Sequence, residues 1–177
     1  MKERNSNPSP MSIKEHRVQS GIRVIGLGNE YRNDDAVGPF IARKLSKVSE
    51  GSFSVLELSG EGTQLMEGWE GADAVFLVDA TSGGREAGHV RRIDAWNTKL
   101  EPSSFRHSTH AFGIAESIEL AKVIGGLPKT CVVFGIEGED FGSGTNISHP
   151  VMQAADRVIE SIVAEIQSIL RSKVTGP

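Results

Sequence analysis

From Ile22 to Ile169, short apolar runs alternate with segments whose apolar residues recur every third or fourth position. A chain with that rhythm must bury strands and helices in turn, and the stable solution is a sheet between helical layers. Ile22 to Leu27, Phe53 to Leu58, Ala74 to Val78, His89 to Ile93 and Thr130 to Ile136 read as strands. The Ala74–Val78 run has no polar alternation, which predicts a strand covered on both faces. Helical stripes are carried by Val37, Phe40, Ile41 and Leu45; by Leu65, Met66 and Trp69; by Ala111, Ile114, Ala115, Ile118 and Ala121; and by Val151, Ala155, Val158, Ile162, Ile166 and Ile169. Gly125 and Gly126, with Pro128 beyond, end the third helix. Pro150 suits the first turn of the fourth, where no N–H is needed. The first helix is expected to open at Asp34 or Asp35, with one carboxylate as its cap. The connection before His89 is too short for a parallel crossover, so an antiparallel partner is expected there. The expected fold is an α/β three-layer sandwich: a mostly parallel, twisted sheet of about five strands with helices on both faces.

A length of 177 residues suits one domain, assigned to residues 20–172, with a polar tail over 1–19 and a frayed end over 173–177. The net charge of −4 comes without a basic block, so no nucleic-acid partner is expected. No apolar run reaches the ~18–20 residues a membrane span needs. Cys131 is the only cysteine, which excludes an internal disulfide and a cysteine-rich metal site and fits a cytoplasmic protein. Its place in an apolar strand predicts a buried, inert thiol.

Three places carry residues suited to chemistry. The first is the strand-to-helix passage Gly26-Leu27-Gly28-Asn29-Glu30-Tyr31-Arg32-Asn33-Asp34-Asp35-Ala36-Val37-Gly38. Its glycines permit a tight turn, and its adjacent carboxylates exceed what one cap requires; such a pair can bind a cation or hold a proton. The second is Asp79, at the end of the most apolar strand, where an ionised carboxylate needs compensation. The third is His110, in Ser108-Thr109-His110-Ala111-Phe112-Gly113 ahead of the third helix, able to bind a metal or act as a base. His107 and His149 compete with it. All three places belong where strand-to-helix crossovers reach one rim of a parallel sheet, the rim at which such sheets carry their sites. Two carboxylates and an imidazole meeting there suit a divalent transition metal.

The Gly-Leu-Gly-Asn…Asp-Asp-Ala-Val-Gly segment resembles the opening of the endopeptidases that mature nickel–iron hydrogenases. The likeness continues in order through Ser59-Gly60-Glu61-Gly62-Thr63, Val78-Asp79-Ala80, Ser108-Thr109-His110-Ala111-Phe112-Gly113 and Phe134-Gly135-Ile136-Glu137-Gly138. The resemblance implies an aspartate-dependent endopeptidase with Asp35, Asp79 and His110 as nickel ligands and catalytic residues, and Gly28, Asn29, Gly60, Glu61, Thr63 and Thr109 as substrate contacts. It implies a nickel-loaded precursor of the hydrogenase large subunit as partner, nickel supplied by that substrate, and removal of a carboxyl-terminal peptide. Relatives often carry Glu at the first ligand position, so Asp35 is a shorter ligand, and Asp34 holds a similarly acidic position beside it. Relatives also often carry an aspartate where Ser59 or Glu61 stands.

Other readings make different demands. Peptidyl-tRNA hydrolases share the Gly-Leu-Gly-Asn opening but continue with Pro and Gly where Glu30 and Tyr31 stand, and they use a His-Asn pair. A dinucleotide-binding loop needs a third glycine where Tyr31 stands. A non-catalytic nickel- or precursor-binding chaperone would use the same three residues without cutting.

Overall fold

The computed structural model describes residues 21–100 and 113–174. The tail expected over 1–19, and His107, Thr109 and His110, lie outside the described residues.

The five strands are β1 (Ile22–Leu27), β2 (Ser54–Leu58), β3 (Ala74–Thr81), β4 (Val90–Asp94) and β5 (Thr130–Glu137). They form one sheet in the order β2-β1-β3-β5-β4. All neighbours are parallel except β4 and β5. The helices are α1 (Val37–Ser46), α2 (Gly62–Trp69), α3 (Ile114–Ile124) and α4 (His149–Val174). The expected α/β sandwich is therefore the observed fold. β4 is antiparallel, as its short connection predicts, but its partner is β5: β5 takes the place beside β3 and leaves β4 the sheet edge. The last helix runs through Val174, past the expected boundary at 172.

Alternation along the strands divides the core into two layers. Ile22, Val24, Phe76, Val78, Val132, Phe134 and Ile136 pack under Ile41 and Leu45 of α1 and Val151, Val158 and Ile162 of α4. Ile25, Leu27, Val75, Leu77 and Val133 face Leu65 and Trp69 of α2 and Ile114 and Ile118 of α3. β3 lies at the centre and is buried at every position, as its unbroken apolar run predicts.

β3 is also longer than expected: Asp79, Ala80 and Thr81 continue its pairing with β5 as far as Glu137. Asp79 therefore stands inside the strand, and alternation points it to the α2–α3 side, in register with Gly135.

α1 approaches β1 backbone to backbone. A Cβ at Gly26 would overlap the Gly38 carbonyl, and a Cβ at Gly38 would overlap Leu27 and Val78 backbone atoms. Two glycines, one per element, hold the first loop this low over the sheet.

The start of α1 departs from expectation. Asn33–Ala36 form a single 3-10 turn, and α1 begins at Val37. Neither Asp34 nor Asp35 caps it, because no side-chain cap bond exists at either helix start and both carboxylates have other partners. This turn also separates Gly26-Leu27-Gly28 from the helix, and Tyr31 is exposed in between, so the loop lacks the direct strand-to-helix turn of a dinucleotide site.

Candidate active site at the carboxyl rim of the sheet

The loop after β1 turns at Gly28, whose φ of 131° lies in glycine territory and whose missing Cβ makes room for the Asp35 carbonyl. Gly28 N–H donates to Leu58 O at 3.2 Å. The following Asn29 donates its N–H to Asp35 Oδ2 at 3.0 Å, and its side-chain oxygen accepts the Tyr31 N–H at 2.9 Å. The loop thus folds back on Asp35 and orients its carboxylate.

The adjacent aspartates have separated roles. Asp34 is 0% exposed and accepts from Glu139 N at 2.9 Å, Asp140 N at 3.1 Å, Ser148 N at 2.6 Å and Ser148 Oγ at 3.1 Å. It is committed to the loop that follows β5. Asp35 and Asp79 are each 8% exposed and near enough to interact as charges. Burial, then the charge of Asp35, push the Asp79 carboxyl well above the ordinary aspartate range; the Ala80 N–H opposes the shift. A buried pair of carboxylates that repel in this way can share a proton or receive a cation.

The chain enters α3 on the same side of the sheet. α3 packs over Val75 and Leu77, on the face to which Asp79 points. It leads into β5, which runs parallel to β3, so α3 descends from the carboxyl rim and its first residues lie at that rim. His110 precedes α3 by a few residues. Among the described residues, no group of three or more His, Cys, Asp or Glu is placed to hold a metal, so His149 does not complete the Asp35–Asp79 pair.

Next to this pair a cleft of about 330 Å³ is lined by Gly28, Asn29, Tyr31, Arg43, Leu58 and Ser59, among others. Arg43 spans its wall, bonded to Glu30 and Glu57 at 2.8 Å each. Gly60 has a φ of 91° with nothing within 4 Å of its Cβ position, so the turn conformation alone calls for glycine. Glu61 caps α2, accepting from Thr63 N and Gln64 N at 3.1 Å each and from Thr63 Oγ1 at 2.6 Å. Glu61 thus serves as the N-cap of α2, a role an aspartate at that position could also fill.

Sequence reading missed Glu137, whose acidic neighbourhood suggests a solvated turn. It is buried at the end of β5. It accepts from Thr81 Oγ1 at 2.8 Å, Gly84 N at 2.7 Å and Arg85 N at 3.1 Å, pinning the glycine-rich loop after β3. Burial raises its pKa, but those donors and the Gly83 N–H outweigh burial and leave it below the usual glutamate value. The signal available was its place two residues beyond Gly135, on the inward alternation of the strand. Glu139 and Asp140 are exposed, as a solvated turn requires.

Cys131 is 1% exposed, and burial pushes its thiol up to about 12. At neutral pH it is protonated and inert. Cys131→Ala is expected to leave turnover unchanged while lowering stability by about 1 kcal/mol for the lost sulfur, read from chemical denaturation beside an activity assay. Loss of turnover in the folded variant would reinstate the thiol as a participant.

A family model described as HycI, hydrogenase maturation protease, matches residues 40–165. This chain belongs to the hydrogenase maturation protease family. The family resemblance and the α/β fold read from the sequence are thereby both upheld. Similar proteins include the hydrogenase expression/formation protein HupD of Thiocapsa roseopersicina, 26% identical over 71% of this chain and 59% of that protein. The HupD of Bradyrhizobium diazoefficiens is 25% identical over 94% of this chain and 84% of its own length. The alignment thus spans less than two thirds of the Thiocapsa protein and most of the Bradyrhizobium one. Among solved structures, the NiFe-hydrogenase maturation protease HycI of Thermococcus kodakarensis superposes with a TM-score of 0.60 at 25% identity, covering 82% of this chain and 90% of that one. No helix among the described residues is long and apolar enough to cross a membrane.

Proposed function

We propose that this member of the family is a cytoplasmic endopeptidase that removes the carboxyl-terminal peptide from a nickel-loaded hydrogenase large-subunit precursor. The observation that carries this reading is the buried Asp35–Asp79 pair at the carboxyl rim, on the face where the chain enters α3 just after His110. The donor chemistry fits: two oxygen ligands and one imidazole suit a divalent transition ion, and a cation entering between the aspartates relieves the repulsion that burdens Asp79. The nickel belongs to the substrate, so recognition of a loaded precursor and assembly of the reaction site become one event.

In this reading Asp35, oriented by the Asn29 N–H, together with Asp79 and His110, holds the nickel carried by the precursor. The bound ion supplies Lewis-acid polarisation at the scissile carbonyl. The charge of the ion beside it would favour the ionised form of Asp79, and that carboxylate would take the proton of the attacking water and return it to the leaving amine. Gly28, Asn29 and Ser59 line the cleft that would receive the extended peptide, and Gly60, Glu61 and Thr63 follow Ser59 in the chain as the further substrate contacts; Thr109, the remaining contact of this reading, lies outside the described residues.

Intact-mass spectrometry of a nickel-loaded precursor incubated with the protein tests the reading. Loss of a carboxyl-terminal peptide is expected with nickel present, and its absence with nickel-free precursor or with His110→Ala. Stable precursor binding without any cleavage would replace the endopeptidase with a non-catalytic chaperone.

A further inference from the structure

The sheet order places β3 between β1 and β5, so the loops leaving β1 and β5 flank the end of β3 from opposite sides. They do not remain apart. Asp34 N–H donates to Asp140 O at 2.9 Å, Asn33 N–H to Gly144 O at 3.1 Å, and Gly144 N–H to Tyr31 O at 2.9 Å. Asn33 Nδ2 donates to Asp140 Oδ2 at 2.8 Å, and Asn33 Oδ1 accepts from Asn146 N at 3.2 Å. The Asp34 carboxylate sits at the centre of this clasp. One oxygen, Oδ1, takes the Ser148 N–H; the other, Oδ2, takes the Glu139 and Asp140 N–H groups and the Ser148 hydroxyl. One peptide unit later comes Asp35, whose N–H closes the 3-10 turn on Arg32 O at 3.0 Å.

We propose that Asp34 is a positioning residue: its carboxylate locks the two flanking loops together over the end of β3 and thereby fixes Asp35 against Asp79. This rests on the reading of Asp35 and Asp79 as reaction groups. The requirement is for a carboxylate rather than any polar side chain of that size. Both oxygens face N–H donors, so an asparagine amide would direct its own NH2 at a donor in either orientation. Loosening the clasp leaves both core layers intact but frees the turn that carries Asp35.

The test is Asp34→Asn in the full chain, with Ser148→Ala as the milder variant that removes one hydroxyl donor and keeps the backbone one. Misplacing a reacting group by about 1 Å can cost on the order of a hundredfold in rate. The expected result for Asp34→Asn is a fall in kcat on the order of a hundredfold with KM for the nickel-loaded precursor changed by less than about threefold. Ser148→Ala is expected to lower kcat several-fold in the same pattern. At one fixed pH, the carboxyl carbon resonances of Asp35 and Asp79 are expected to move in both variants. A folded Asp34→Asn protein with wild-type kcat and unmoved resonances overturns the proposal. If Asp34→Asn does not fold, unchanged kcat and resonances in Ser148→Ala overturn it instead. Should the wild-type protein fail to cleave any loaded precursor, the functional reading falls, and the resonances still decide whether Asp34 sets the Asp35–Asp79 geometry.

Discussion

Asp79→Asn is expected to slow cleavage severely and, at the same time, to stabilise the folded chain at neutral pH. The stability effect follows from burial. Because the fold raises the Asp79 pKa, mainly by desolvation and then by the charge of Asp35, the native state binds this proton more tightly than the unfolded chain, whose aspartates titrate near about 3.9. The stabilising contribution is therefore fully present below that value and is lost as pH rises through the raised native pKa. Asparagine is neutral throughout, fills the same space, and removes the penalty of an ionised carboxylate at this position. The variant and wild type should match most closely in acid and diverge toward neutral pH, with the variant more stable by about 1–2 kcal/mol. Activity should fall by about a thousandfold, the scale of a missing general base. Thermal unfolding across the acid-to-neutral range, beside intact-mass cleavage assays, reads both effects. A variant less stable than wild type at neutral pH, or a gap that does not vary with pH, would show that Asp79 is compensated by a partner and is not strained.

Gly38→Ala is expected to be among the most damaging substitutions outside the site, despite being a change that ordinarily favours a helix. In a free helix the swap stabilises by about 1 kcal/mol. Here the added methyl would drive into Leu27 and Val78 backbone atoms, which no rotamer change can relieve. Overpacking against backbone costs about 3 kcal/mol or more, a large share of the roughly 5–15 kcal/mol that holds a domain together. The urea midpoint should drop accordingly, and cleavage should drop with it, because α1 and the first loop would lift from the sheet that carries Asp79. Gly71→Ala makes the matched control: its φ is 70° and its Cβ position has no atom within 4 Å, so only the left-handed backbone cost of about 1 kcal/mol applies. A Gly38→Ala protein with an unchanged midpoint would mean that α1 can slide without loss of packing.

The layered fold follows from apolar periodicity alone, because the period of the apolar residues dictates which faces need covering. The unbroken run from Ala74 to Val78 reads as a strand covered on both faces, and Gly125 with Pro128 as the end of a helix; the strand order then puts that strand at the centre. The carboxyl-rim location of Asp35 and Asp79 was legible for the same reason: a strand-to-helix passage in a parallel sheet always reaches that rim. Tertiary structure decided what local pattern cannot encode. Asp34 and Asp35 are chemically identical neighbours, and only the loop arriving from β5, more than a hundred residues later, commits Asp34 to backbone donors and leaves Asp35 oriented by Asn29. The same long-range partnership cancels the helix cap expected at these residues, since a carboxylate already occupied by Ser148 and Glu139 is not aimed at its own helix. Strand order placed β5 between β3 and β4, and with it turned Glu137 from an apparent surface acid into a buried clasp on Thr81 and Gly84. Periodicity specifies which face of an element is buried; which distant donor meets a given carboxylate is fixed only when the chain closes on itself.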